Sequence, residues 1–380
     1  MSGVVPTGPV MMTANEAAAY AAVLARVRAV GCYPITPQTL IVERLADLLA
    51  DLRDVEFAEL ESEHSMFGYV IGAARAGART FTATSSQGLL YAHEQLHRTS
   101  RERIPLVVVD INRAVFAPWS IEPDLTDSMS QRDTGWIQLY CSSAQEMLDT
   151  VLCGYRLAEA SMLPVMVCAE GFLLSHTSER VDVPAQMDVD EFLPAFVPPE
   201  EWLLDPRTPR LYSALPGAPD DYYAFQRDVA DALEGAKETI ETVASEFTLQ
   251  FGRSKVGALE LTGNRRGTKA LVAVGTIAET ARELLEDDDD LLIVRVHAYR
   301  PFPAEKLLGA LAHASTITVV DRAAAFGSLG PLGSDVRALG LDASAIVGGL
   351  GGADVTPSTL HWALEQRPRL GATYVPEGIR

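Results

Sequence analysis

Between Val55 and Ala169, short apolar runs alternate with stretches whose apolar residues recur every three or four positions. The short runs predict strands at Val55–Ala58, Thr80–Thr84, Pro105–Ile111 and Pro164–Cys168, and the longer periodicity predicts helices at Glu63–Ala76, Leu89–Ser100 and Ala144–Ala160. Pro105–Ile111 reads PLVVVDI, apolar without alternation, the pattern of a strand covered on both faces. Such strand–helix alternation builds a mostly parallel sheet with helices on each side. Ligands of these sheets collect beyond the carboxyl ends of the strands, and for this strand that position is Asn112-Arg113.

Two helical patterns precede this region. Asn15 to Val30 is Ala-rich, with Gly31 where a C-cap glycine belongs. Gln38 to Leu52 carries Leu40, Ile41, Leu45, Leu48 and Leu49 on one face. Tyr33-Pro34-Ile35-Thr36-Pro37-Gln38-Thr39 joins them. Each proline disfavours the α conformation in the residue before it, which predicts extended Tyr33 and Thr36. Thr36 then reads as the N-cap and Pro37 as a first-turn residue, where its missing N–H costs nothing. A helix end of this kind attracts carboxylates, although an ordinary capped helix after a stiff turn has the same pattern.

After His176 the texture changes. Eight prolines between His176 and Asp221 leave little room for regular structure, which predicts a wrapping excursion. A helix from Tyr222 to about Phe247 follows. Alternation resumes at Lys269, with strands at Ala270–Val274, Leu291–Val296 and Thr316–Val320 and helices at about Ala304–His313 and Leu332–Leu339; the domain closes near Ala345–Val347 and the glycine run Gly348–Gly352. Thr276 and Glu279 read as a capping box. The fold class is therefore α/β, with two doubly wound parallel-sheet domains. The first spans 1–250, including the excursion 176–221 and the connecting helix 222–247, and the smaller second spans 265–380.

At 380 residues and 48% hydrophobic, the chain is large enough to bury two cores. A net charge of −20 argues against a nucleic-acid partner, which calls for clustered Lys and Arg. No apolar run reaches the roughly 18 residues of a membrane span. Met1 to Met12 lacks the pattern of a secretory signal, so a cytoplasmic protein is expected. Cys32, Cys141, Cys153 and Cys168 form no CxxC pair, so free thiols are expected, and any electron-carrying cluster belongs on another chain.

Several residues could carry chemistry. His93-Glu94-Gln95-Leu96-His97 matches the zinc-protease pattern HExxH but lacks a third ligand at the expected spacing, so it reads better as a solvated helix face. Glu63 starts its helix after Ser62 as N-cap, where an acid complements the macrodipole. Gly68, Gly72 and Ala76 form a small-residue stripe on that helix, suggesting close backbone packing and a Glu63 that faces an interface or a cofactor. Arg113 suits a two-pronged grip on a carboxylate, or else an ion pair with Asp124 or Asp127. There is no GxSxG elbow, Walker A loop or strand–GxGxxG–helix, so a self-sufficient nucleotide or nicotinamide site is unsupported.

Taken together, YPITPQT (Tyr33–Thr39), ESEHS (Glu61–Ser65), FTATSSQGL (Phe81–Leu89), INRA (Ile111–Ala114), DSMSQRDTGWIQLY (Asp127–Tyr140) and GLGGADVTP (Gly349–Pro357) resemble the α subunit of the 2-oxoacid:ferredoxin oxidoreductases, most closely the pyruvate type. The similarity runs in order along nearly the whole chain. It implies a pyrimidine-type domain of a thiamine-diphosphate enzyme followed by a smaller transketolase-C-like domain. It also implies a β subunit that holds most of the thiamine diphosphate and its Mg²⁺ through a GDG…N motif, absent here, and γ and ferredoxin-like δ subunits, or fused equivalents, carrying 4Fe–4S clusters. The implied reaction is oxidative decarboxylation of a 2-oxoacid, pyruvate first, to acyl-CoA, with coenzyme A as co-substrate and electrons passed to ferredoxin.

By the same resemblance Glu63 is the cofactor-binding and catalytic acid/base, while Arg113 and Thr36, with Ile35 beside it, bind the substrate. The resemblance also makes Cys32, next to the substrate loop, a candidate oxidation-sensitive position, and it gives the HExxH helix no metal role. Competing readings are a β-type chain of a lipoamide-linked 2-oxoacid dehydrogenase or transketolase relative, and a non-catalytic carboxylate-binding scaffold.

Overall fold

The computed structural model describes residues 5–209, 217–255 and 257–379. A seven-stranded sheet has the order Ala298–Arg300, Ile137–Tyr140, Val165–Glu170, Val107–Asn112, Thr80–Thr84, Ala29–Cys32, Glu56–Glu59. Every pairing among its last six strands is parallel. Val107, Val108 and Val109 are fully buried, as the unbroken apolar run requires. Thr84, Asn112 and Glu170 end their strands on the same edge.

A second sheet has the order Thr373–Tyr374, Ala343–Val347, Thr316–Asp321, Lys269–Ala273, Leu291–Val296, Leu259–Gly263, with the last strand antiparallel. The two sheets interlock. Ala298–Arg300, which follows a strand of the second sheet, pairs antiparallel with Ile137–Tyr140 at the edge of the first. The helix Pro219–Phe251 ends at Gly252 and packs Ile240, Val243 and Phe247 into the first core.

The structure corrects several sequence expectations. The first helix stops at Leu24 rather than Val30, and Ala29–Cys32 is a central strand. Gly31 is therefore not a helix cap. A Cβ on Gly31 would come 3.0 Å from Val70 Cγ1 and 3.2 Å from the Met66 carbonyl, so glycine lets the Glu63–Arg75 helix pack close to the sheet. By contrast, a Cβ on Gly68 or Gly72 would meet nothing within 4 Å in this chain, so the small-residue stripe is not an internal packing surface.

The helix expected at Leu89–Ser100 is two, Ser86–Tyr91 and His93–Arg101. The proline-rich excursion holds a strand, Glu179–Val183, paired with Gly8–Met12, and a short helix, Gln186–Phe192. Among its eight prolines, Pro216 lies outside the described residues. Thr276 and Glu279 form no capping box, because Gly275 occupies the cap and has no side chain to offer. Glu170, reaching over from the first sheet, accepts the Thr276 N–H at 3.0 Å instead.

Candidate active site

Three loops meet beyond the carboxyl edge of the first sheet. The first is Tyr33–Thr39. Its helix begins at Thr39 with Gln38 in the cap position and no side-chain cap bond, so Thr36 is not the N-cap. A turn intervenes, closed by Gln38 N–H donating to Ile35 O at 3.0 Å. Side-chain amides hold that turn: Gln38 Nε2 donates to Tyr33 O, and Asn15 Nδ2 to Pro37 O, both at 2.8 Å. Both contacts lie outside local capping chemistry. Ile35 is half-buried, and the Thr36 side chain is exposed while its carbonyl turns inward.

That carbonyl meets Arg113. Arg113 Nη1 donates to Thr36 O at 2.7 Å, and Nη2 donates to Gln87 Oε1 at 2.5 Å. Nε is buried without a partner, and the Trp119 ring lies 5.4 Å from Cζ, covering one face of the cation. The two aspartates considered as ion-pair partners are engaged elsewhere. Asp124 accepts the N–H groups of Thr126 and Gly351, and Asp127 accepts the N–H groups of Ser86, Arg113 and Ser128. Among the described residues the Arg113 guanidinium has no carboxylate within ion-pair distance. Burial lowers its pKa, with Asp127 and Glu63 opposing.

Glu63 starts the helix that Ser62 caps, Ser62 Oγ accepting the Ser65 N–H at 3.2 Å. It is 7% exposed, and among the described residues no other side chain donates to its carboxylate. Burial raises its pKa, while its own amide and the Arg113 charge pull it back down.

The turn Thr84-Ser85-Ser86-Gln87-Gly88 links these two groups. Gln87 bonds Arg113, and its neighbour Gly88 lies against Glu63: a Cβ there would come within 2.5 Å of both Glu63 Oε1 and Thr84 Oγ1. Ser86 has a left-handed φ of 50°, held by its N–H to Asp127 Oδ2 at 2.9 Å and its hydroxyl to Ala114 O at 2.7 Å. Asp127 Oδ2 also accepts the Arg113 N–H at 2.9 Å, so one carboxylate fixes both loops. Burial pushes Asp127 up to about 6 against the amides it accepts, and it pushes Asp110, behind it and bridged by Asn112 Nδ2, well above the carboxylate range. Thr84 Oγ1, Ser85 Oγ and Gln87 Nε2 are buried without partners.

Periodicity singles out none of Gln87, Gly88 and Asp127. The signal available was their place in the FTATSSQGL and DSMSQRD segments.

The remaining candidates lie elsewhere or do other work. His93 and His97 stack edge to face at 4.7 Å, with Gln131 against His93 and the Arg101 guanidinium 2.7 Å from His97 Nδ1. Burial, Arg101 and His93 hold the His97 pKa low. No cluster of three metal-ligating side chains occurs among the described residues. Cys32 is buried, and burial together with Glu59 pushes its thiol up to about 11. Thiolate is the reactive form, and burial and the raised pKa both keep Cys32 as the neutral thiol.

Comparison with known proteins places this geometry. Residues 20–245 match the family model described as pyruvate flavodoxin/ferredoxin oxidoreductase, thiamine diphosphate binding, and residues 268–360 match pyruvate:ferredoxin oxidoreductase core domain II. The chain is 41% identical to the pyruvate synthase subunit PorA of Methanothermobacter thermautotrophicus, over 96% of this chain and 97% of that one. It is 40% identical to the ketoisovalerate oxidoreductase subunit VorA of Pyrococcus horikoshii, over 91% of this chain and 90% of the other. In fold it resembles the 2-oxoglutarate:ferredoxin oxidoreductase from Magnetococcus marinus, with TM-score 0.74 and 18% identity, over 93% of this chain and 64% of that chain. With both segments matched and the similarity running end to end, the chain belongs to the family of 2-oxoacid:ferredoxin oxidoreductase α subunits.

Proposed function

We propose that this chain grips the carboxylate of a 2-oxoacid, pyruvate first, and the pyrimidine end of thiamine diphosphate, within a complex that converts the 2-oxoacid and coenzyme A to acyl-CoA and CO₂. Two electrons pass to ferredoxin. The observation that carries this reading is the convergence of Arg113, Thr36 and Glu63 around the Ser86–Gly88 turn. A guanidinium offers five N–H donors, and among the described residues only two atoms, Nη1 and Nη2, have acceptors, both neutral. The charge and the second N–H of each Nη remain for a carboxylate, beside the Thr36 carbonyl that Nη1 already grips.

The residues fit the pyrimidine end of the cofactor. Glu63 presents a carboxyl group that no other side chain satisfies among the described residues, Gly88 keeps the position beside it free of a Cβ, and the buried Thr84 Oγ1 lacks a partner there. Thiamine diphosphate, when bound, supplies the electron sink that lets the bond to the departing CO₂ break. Glu63 holds or releases a proton at its carboxyl oxygen, and burial moves its pKa toward the working range of a general acid/base. Arg113 orients the substrate carboxylate and, with Trp119 over its face, shields it from water. Asp127 keeps the Arg113 backbone in place.

The diphosphate and Mg²⁺ are assigned to a β subunit, because this chain lacks a GDG…N segment. The 4Fe–4S clusters are assigned to ferredoxin-like δ or fused chains alongside γ. The complex is assigned to the cytoplasm. No helix among the described residues is long and apolar enough to cross a membrane.

The test is co-expression with the partner subunits and a panel of pyruvate, 2-oxoisovalerate and 2-oxoglutarate, scored by coenzyme A-dependent reduction of a low-potential dye. Pyruvate is expected to have the highest kcat/KM. Since relatives named for pyruvate and for ketoisovalerate match almost equally, preference for 2-oxoisovalerate would replace pyruvate as substrate. No coenzyme A-dependent turnover with any of the three would overturn the reading.

A further inference from the structure

The two aspartates that the sequence offers as ion-pair partners, Asp124 and Asp127, are diverted from the Arg113 guanidinium. Asp124 and Asp127 direct their oxygens at backbone N–H groups and at Asn112. The acceptors that do hold the guanidinium are both neutral, a carbonyl of Thr36 and the side-chain amide of Gln87. A neutral acceptor orients a cation without cancelling its charge, whereas a carboxylate in the same place would occupy the cation with an internal ion pair.

Both holders are themselves held. The Thr36 loop is tied by the Gln38 and Asn15 amides. Gln87 sits in a turn pinned on both sides, by the Ser86 N–H on Asp127 and the Ser86 hydroxyl on the Ala114 carbonyl. Its neighbour Gly88 rests against Glu63, so the same two residues space the acid from the cation. Gln87 Nε2 has no partner, so the amide is oriented by its bond to Arg113 and by the turn alone.

We infer that Gln87 is a positioning residue for the substrate carboxylate: it fixes the plane of the Arg113 guanidinium through a neutral bond and leaves the charge for the 2-oxoacid. This rests on the role proposed for Arg113, and the experiment separates the two. Gln87→Glu places a carboxylate where the amide oxygen stood and competes with substrate for the cation. Gln87→Leu removes the acceptor at similar size.

In the co-expressed complex with pyruvate, Gln87→Glu is expected to raise KM about tenfold or more with kcat within about threefold, the pattern of lost ground-state binding. Gln87→Leu is expected to raise KM about three- to tenfold, and by less than about twofold when added to Arg113→Lys, because both act through one group. If either variant fails to assemble, the other decides. KM within about twofold of wild type in the assembled Gln87 variants, while Arg113→Lys raises it, would overturn the role of Gln87 and leave that of Arg113 standing. A fall in kcat at unchanged KM would overturn it equally. An unchanged KM in Arg113→Lys as well would overturn the proposed function of the site.

Discussion

The two sheets end a central strand in nearly the same way, Asn112-Arg113 in one and Asp321-Arg322 in the other, yet the two arginines do different work. Arg322 is buried against Glu170 of the first sheet at 3.3 Å, and its carbonyl accepts the Leu125 N–H. Its charge is consumed in joining the sheets. Arg113 sits at the equivalent strand end with neutral acceptors and an aromatic face. The aspartates contrast too. Asp321 anchors a helix, accepting the N–H groups of Leu332 and Gly333 at 2.9 Å, whereas Asp127 ties together two loops of the site. The same strand-end position serves cohesion where a carboxylate faces the arginine, and where, among the described residues, none does, the cation is held only by neutral acceptors.

The largest expected effects come from exchanging those roles. Arg322→Ala leaves Glu170 buried without its cation and is expected to cost about 3–5 kcal/mol of stability, seen in thermal unfolding, while KM in the assembled complex stays within about threefold. Arg113→Ala should do the reverse. It is expected to lose about 2–5 kcal/mol of substrate binding, with KM up on the order of 10²-fold, and to leave the melting temperature within a few degrees. Similar loss of stability in both variants would erase the distinction.

Gly88→Ala comes next. The added methyl must displace Glu63 or Thr84, since no room exists at 2.5 Å. Activity is expected to fall about 10–100-fold, mainly in kcat, because a displaced acid mispositions proton transfer. Full activity in Gly88→Ala would separate Glu63 from the turn.

Smallest are the pH effects, which have opposite signs for stability and for binding. Burial lifts Asp321 to about 7 and Asp127 to about 6, above the ordinary 3.8 of aspartate. A raised carboxyl pKa means that the fold favours the protonated form. These groups' contribution to stability is therefore full below about 3.8 and lost as pH rises through 6 to 7. The melting-temperature difference between wild type and Asp321→Asn is expected to shift in the variant's favour as pH rises from about 5 to 8. Binding runs the other way. Ionised Asp127 is the stronger acceptor for the Ser86 and Arg113 N–H groups, so KM is expected to rise as pH falls below about 6. Steady-state KM across that range, compared with Asp127→Asn, checks this; a flat profile would detach Asp127 from the site.

Both parallel sheets were legible in the chain because strands covered on both faces must be continuous apolar runs; Val107–Asn112 and Leu291–Val296 lie almost where such runs fall. Glu63 at a helix start behind Ser62 and Arg113 after a buried strand were legible for similarly local reasons, a cap and a strand end. Ala29–Cys32 and Ile137–Tyr140 were not, since four buried residues are too few to display a period. What only the tertiary structure decided lies in contacts between residues far apart in the chain. Asn15 holds the Pro37 carbonyl in the turn that precedes the Gln38 cap; Glu170 caps a helix of the other sheet; Asp127 joins the Ser86 and Arg113 loops. Local pattern records which backbone each segment prefers. Where a side chain's hydrogen bond is spent depends on what folding brings beside it, and that separates the arginine held by neutral acceptors from the one paired with a carboxylate.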